Sequence, residues 1–224
     1  KYLKDIIHEI NRKFKVGKRR NVPHITLAGP LTTKNEMKLI SDFARVCSKT
    51  EIMKFKLKGF NTFDSNRVVF VDIGASEKFN EFRVKLANAI KSYCKLKSLD
   101  KRKDKEIFGY HSTLAMNLSP DKFKKIKSYI NRKRKPNFNQ IVMRVTLLKN
   151  GRILREYDFL QRRLLNGRQS LDKGILRISR RLLRQYLQGN YNPKRSKRRN
   201  KGAKRPRYVR KKSLISRIKD FFGL

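Results

Sequence analysis

Apolar residues recur at helical spacing over Tyr2–Phe14, and a run from Pro23 to Ala28 alternates apolar and polar positions as a short strand does. Thr33-Lys34-Asn35-Glu36 has the form of a capping box and predicts a helix running to about Thr50. Extended segments follow over Ile52–Phe60 and Arg67–Ile73, separated by the turn residues Asp64-Ser65-Asn66. Glu77–Leu96 reads as a long helix with Phe79, Phe82, Leu86, Ile90 and Tyr93 on one face. Beyond a charged linker, Leu99–Glu106, come a strand over Tyr110–Met116 and a helix opened by Ser119-Pro120-Asp121 and reaching Arg132. Gln140–Lys149 and Arg152–Phe159 are predicted strands joined at Asn150-Gly151, a strong two-residue hairpin signal. Helices and hairpin-linked strands interleave without regular βαβ crossovers, so the expected class is α+β with antiparallel sheets.

The last quarter of the chain departs from this pattern. Arg168–Gln188 carries Leu171, Ile175, Ile178, Leu182, Leu183, Tyr186 and Leu187 at helical spacing, interleaved with Arg177, Arg180, Arg181 and Arg184, which predicts a basic amphipathic helix ended by Gly189-Asn190. From Asn192 to Lys212 almost nothing is apolar, and runs such as Lys194-Arg195-Ser196-Lys197-Arg198-Arg199 repel themselves, so a disordered arm is expected. Leu214-Ile215, Ile218, Phe221-Phe222 and Leu224 then form a short amphipathic stripe. The organisation expected is a folded domain over residues 1–165, a basic helix over 166–190 and a largely disordered arm over 191–224.

Composition sharpens the question of partners. Sixty Lys and Arg stand against 17 Asp and Glu in 224 residues, a formal charge of +43, and residues 166–224 alone hold 20 basic side chains and two acids. Counterion release favours any phosphate polymer at such a density without sequence readout, so a nucleic-acid partner is expected, with the tail binding RNA nonspecifically. Docking of the C-terminal stripe on an anionic membrane is the lesser alternative. A hydrophobic content of 38% is low, yet 14 Phe and 8 Tyr suffice for one core. No apolar run approaches the roughly 18 residues of a membrane span, and the first residues lack the apolar stretch of a signal peptide. The chain is therefore expected to be intracellular, in the cytoplasm. Cys47 and Cys94 match no metal-binding or redox spacing and read as core thiols.

Three histidines occur, and two share one local pattern: His24-Ile25-Thr26-Leu27 and His111-Ser112-Thr113-Leu114. Side chains alternate across a strand, so each segment offers an imidazole and a hydroxyl on one face and apolar or small residues on the other. Two imidazoles that titrate near neutrality can act as general acid and general base on opposite sides of one phosphorus. The hydroxyls of Thr26 and Thr113 can hold the non-bridging oxygens as charge builds on them. Phosphodiester transfer or hydrolysis is the reaction these groups suit, and no His/Cys/Asp/Glu cluster suggests a metal or other cofactor.

The paired motifs, 87 residues apart, resemble those of the two-histidine (2H) phosphoesterases, and Pro23-His24-Ile25-Thr26-Leu27-Ala28-Gly29-Pro30 is most similar to the branch of 2′-5′ RNA ligases and 2′,3′-cyclic nucleotide phosphodiesterases. The resemblance covers about residues 1–160. It implies two pseudo-symmetric α+β lobes around a central groove, one motif from each, with His24 and His111 catalytic and Thr26 and Thr113 on the phosphate. The implied reaction is opening of a 2′,3′-cyclic phosphate at an RNA end to a 2′-phosphate, or ligation to a 2′-5′ linkage. His111 is assigned to water activation and His24 to protonation of the leaving 3′-oxygen, with the reverse assignment also compatible with the pseudo-symmetry. Family members usually begin with a strand ahead of the first helix, and this chain starts within that helix, so a strand of the first lobe is expected to be missing.

Two other readings compete with an RNA 2′,3′-cyclic phosphodiesterase: an RNA-binding protein without catalysis that works through its tail, and a 2H-type exonuclease on RNA 3′ ends. Two titratable imidazoles in matched surroundings favour an enzyme, because a binder has no need of them. Tyr110 as a base-stacking surface, Arg67 and Arg152 as phosphate contacts, and the helical pair His8-Glu9 are weaker candidates, each with a plain structural role beside it.

Overall fold

Ile6, Ile7 and Ile10 line one side of α1 (Tyr2–Phe14) and are all buried, so the first helix forms because it has a core to cover. The computed structural model describes residues 2–16, 22–96 and 109–192. The charged linker Leu99–Glu106, and the basic arm with its apolar stripe from residue 193 onward, lie outside the described residues.

After β1 (Thr32–Thr33), helix α2 (Glu36–Ser48) is capped by Asn35, whose side chain accepts from the Lys38 amide at 2.9 Å. Thr33, expected as the cap, instead accepts from the Asn35 amide and donates to the Tyr93 carbonyl, because β1 pairs with β4 (Cys94–Lys95) and holds it outside the helix. The same pairing shortens the next helix. α3 (Glu77–Ile90) buries Phe79, Phe82, Leu86 and Ile90 as expected, but Tyr93 has left it to bond Asp42 through its hydroxyl at 2.9 Å.

β2 (Lys54–Phe63) and β3 (Val68–Ala75) form an antiparallel hairpin, and β5 (His111–Ala115) and β6 (Phe138–Ile141) complete a four-stranded sheet in the order β5-β3-β2-β6. Between the last two runs α4 (Pro120–Asn131), with Ser119 as cap and Pro120 in its first turn as the sequence predicts. β7 (Arg144–Lys149), β8 (Arg152–Asp158) and β9 (Arg163–Asn166) make a second sheet, and Asn150 (φ +50°) and Gly151 (φ +73°) supply the left-handed turn that its hairpin needs. The class is α+β. Leu57, Val69, Val71, Ile73 and Leu114 project from one face of the larger sheet into a core shared with α1, α2, α3, α4 and the second sheet. The opposite face is left for other uses.

The region expected as one basic helix is two, α5 (Gly167–Leu171) and α6 (Lys173–Leu187), because extended Asp172 ends the first and caps the second. Ile175, Leu176, Leu182, Leu183 and Tyr186 of α6 are half-buried, and Arg177, Arg180, Arg181 and Arg184 are exposed. The one fully buried residue of α6 is Ser179, which donates to Asp158 Oδ2 at 2.5 Å and accepts from Arg144 and Gln161. Arg144 bonds Asp158 and Glu156 at 2.8 Å each, and the other Asp158 oxygen accepts from the Leu160 and Gln161 amides. A polar knot thus ties β7, β8 and α6 together. No described helix is long and apolar enough to cross a membrane.

Three stability outcomes follow from these contacts. Removing Asp158, with 0% exposure, leaves Arg144 Nε, the Ser179 hydroxyl and two backbone amides without their shared acceptor in a dry site, so Asp158→Ala is expected to lower unfolding free energy in urea by about 3–5 kcal/mol. Ser112 faces the core with a hydroxyl that finds no partner among the described residues, so Ser112→Ala should raise stability by about 1 kcal/mol in the same assay. Lys133, with help from the Tyr129 hydroxyl, holds the Glu9 carboxyl below its ordinary range and joins α1 to α4. That contribution is present above the unfolded carboxyl pKa and is lost as pH falls through the folded one, so the stability gap between the unmodified chain and Glu9→Gln should close on acidification.

Candidate active site

The second motif lies on β5, and strand alternation sorts it as the sequence predicts. Ser112 and Leu114 are buried, while half-buried His111 and Thr113 share the other face. Pairing with β3 sets Asp72 opposite His111 and Phe70 opposite Thr113. Phe70 and Phe63 stack with centroids 4.3 Å apart, and each lies 5.2 Å from the His111 ring, Phe63 edge-on to it. The imidazole is therefore wedged against an aromatic pair of which Phe63 is 40% exposed.

The first motif departs from expectation in one respect. Pro23–Ala28 is not a strand: it pairs with no other segment among the described residues, and Pro23 has no N–H to offer a ladder. The alternation survives without the ladder, because Ile25 and Leu27 still pack on the core and leave His24 and Thr26 exposed. The core cluster that receives Ile25 and Leu27 also receives Leu114, so one hydrophobic body seats both motifs.

The two histidines make the same bond. His24 Nδ1 lies 2.8 Å from the Val22 carbonyl and His111 Nδ1 3.0 Å from the Gly109 carbonyl, each two residues upstream. A carbonyl can only accept, so Nδ1 carries the proton in both rings and Nε2 is left as the nitrogen that can exchange one. A neutral ring then presents a base at Nε2 and a charged ring presents an acid at the same atom. The fixed ring also costs no reorientation when the proton moves. Thr26 and Thr113, two residues on, stand on the same faces as their histidines.

Other candidates find structural roles. Tyr110 is buried, edge-on to Phe79 in the core, and burial pushes its phenol up to about 12. Arg67 donates from Nε to the Leu118 carbonyl at 2.8 Å, and Arg152 is exposed at the start of β8. His8 is exposed on α1, and Glu9 is engaged with Lys133 and Tyr129. Cys47, with 0% exposure, has its thiol pushed up to about 12 by burial. A cleft of about 750 Å³ between α2 and α3, lined by Arg45, Lys49, Lys78 and Glu81 among others, contains neither motif, so cavity size does not mark the chemistry here.

Sequence reading missed Phe63 and Phe70. The signal for Phe70 was present, since it alternates with Val69 and Val71 and so had to face away from the core. Phe63 needed the β2–β3 register, which pairs it with Val68.

Comparison with known proteins identifies the family. The family model described as the 2′-5′ RNA ligase superfamily matches residues 3–153, a span that includes both motifs. Among curated proteins none matches. Among solved structures, Usb1 of Kluyveromyces marxianus is similar at 12% identity, over 74% of this chain and 88% of that one, with a TM-score of 0.35, a level that carries no argument about the site. The class of activity that the family match supports is phosphodiester chemistry on RNA, and the chain belongs to the 2′-5′ RNA ligase superfamily of two-histidine phosphoesterases.

Proposed function

We propose that this protein is an RNA 2′,3′-cyclic phosphodiesterase that uses His24 and His111 as its acid–base pair and Thr26 and Thr113 as its phosphate-holding groups. The observation that carries the reading is the duplicated Nδ1–carbonyl bond, which gives two separate histidines the same tautomer and the same free nitrogen. A residue kept only for packing has no need of that match.

The step balances with these groups alone. Neutral His111 takes a proton from water at Nε2 as the water oxygen attacks phosphorus. Charged His24 gives its Nε2 proton to the 3′-oxygen as the P–O3′ bond breaks. The product is a 2′-phosphate beside a free 3′-hydroxyl, and the two rings have exchanged charge states. The Thr26 and Thr113 hydroxyls donate to the non-bridging oxygens, where negative charge grows most in the five-coordinate state. An RNA 5′-hydroxyl in place of water yields a 2′-5′ linkage by the same movements. The exposed ring of Phe63 offers the terminal base a flat apolar surface beside His111.

The test is incubation of the chain, in EDTA, with an RNA oligonucleotide ending in a 2′,3′-cyclic phosphate, with phosphorus NMR locating the phosphate in the product. A 2′-phosphate is expected, with a bell-shaped dependence of rate on pH. His24→Ala and His111→Ala are each expected to lower turnover by about 10²–10⁴-fold and to leave RNA affinity within a few-fold. Turnover retained in the doubly substituted chain would sink the assignment.

A further inference from the structure

The face of the larger sheet that carries His111 and Thr113 also carries a row of lysines. On β2, Phe55 and Leu57 turn toward the core, so Lys54 and Lys56 turn the other way, and both are exposed. Lys58 is the extra residue of a bulge between Leu57 and Gly59, and its side chain lies across Gly74 of β3, the residue paired with Lys56. Its Cε sits 2.3 Å from where a Cβ on Gly74 would stand, so only glycine lets Lys58 lie along the sheet surface there. All three therefore flank one strip of that face.

None of the three lysines has a carboxylate partner among the described residues, whereas other surface lysines of the chain, such as Lys78, Lys127 and Lys149, are paired with Glu51, Asp64 and Glu36. Opposite Lys56 on β6 stands Asn139, and the one carboxylate at a register position on this face, Asp72, lies beside His111 instead. The sheet order places β2 two strands from β5, about 10 Å across, and the Lys56–Gly74 pair lies about 7 Å along the strands from the Asp72–His111 pair. Alternate residues on β2 repeat at about 6.8 Å, close to one nucleotide step of an extended strand.

We infer that Lys58, Lys56 and Lys54 form a backbone track that holds the RNA upstream of the reacting end, so that the site acts on the 3′ termini of oligonucleotides in preference to cyclic mononucleotides. The inference rests on the proposed function for which phosphate occupies the motif end of the track. A 2′,3′-cyclic phosphate can occur only at a 3′ end, so the rest of the strand must leave the site in one direction. The track gives it a charged path across β3 onto β2. Lysine suits this role, because a point charge on a flexible stem follows a phosphate without demanding a base.

The test compares kcat/KM for a ten-nucleotide RNA ending in a 2′,3′-cyclic phosphate with that for a cyclic mononucleotide, in the unmodified chain, in Lys56→Glu/Lys58→Glu and in Lys124→Glu/Lys125→Glu. The last pair changes charge equally on exposed positions of α4, which packs against the core side of the sheet. A preference for the oligonucleotide is expected in the unmodified chain, a fall of at least about tenfold in that preference in the β2 variant, and no change in the α4 variant. The slope of log affinity against log salt, read by fluorescence anisotropy with a labelled oligonucleotide ending in a 3′-phosphate, should become shallower by about 1.4 in the β2 variant. An unchanged preference in the β2 variant, or an equal fall in the α4 variant, overturns the track. If the chain turns over neither substrate, the proposed reaction fails and the anisotropy decides the track by itself, standing if only the β2 variant loses affinity and slope and falling otherwise.

Discussion

One face of the β5-β3-β2-β6 sheet is committed to a hydrophobic core, and almost everything about the candidate site depends on that commitment. Leu57, Val69, Val71, Ile73 and Leu114 cannot be buried under the helices without sending their strand neighbours the other way. Those neighbours are His111, Thr113, Phe70, Asp72 and Lys56. A slip of one residue in β5 would turn His111 toward the core and Leu114 toward the opposite face, so the packing energy of the core also fixes which groups that face presents. The first motif shows the same logic without a ladder: Ile25 and Leu27 anchor on the same cluster and orient His24 and Thr26 outward.

The second constraint is electrostatic. A chain of +43 can place a fully buried carboxylate only where cations and amides satisfy it, and Asp158 accepts from Arg144, Ser179 and two backbone amides. Apolar contact alone would leave the register of α6 on the second sheet loosely set. The Ser179–Asp158–Arg144 knot sets it, because any rotation of α6 leaves a buried ion without its partners. That in turn decides which way Arg177, Arg180, Arg181 and Arg184 face.

Much of this was legible in the chain because it depends on local rules. The period of two in His-x-Thr-x assigns faces from backbone geometry alone, Ser119-Pro120 marks a helix start, and Asn150-Gly151 marks a turn that requires positive φ. What failed depended on partners distant in sequence. Thr33 has the better capping-box spacing, yet β4, some sixty residues on, holds it in a strand. Tyr93 fits the periodicity of α3, yet its hydroxyl is drawn to Asp42. Pro23–Ala28 alternates like a strand, but a ladder is a property of two segments and this one has no second among the described residues. Ser179 carries no local signal of its role, because the carboxylate it serves lies 21 residues upstream.

The environment of His111 belongs to the same category and bears most directly on function. No local rule brings Phe63 and Phe70 to one imidazole; that takes a hairpin register on one side and a bulged pairing on the other. The two motifs, identical in their Nδ1 bonds, are therefore not identical in surroundings: His111 lies against a stacked aromatic pair beside Asp72, and His24 stands exposed on a segment without a strand partner among the described residues. The inequality between the histidines thus arises from the sheet, while their likeness arises from the motif.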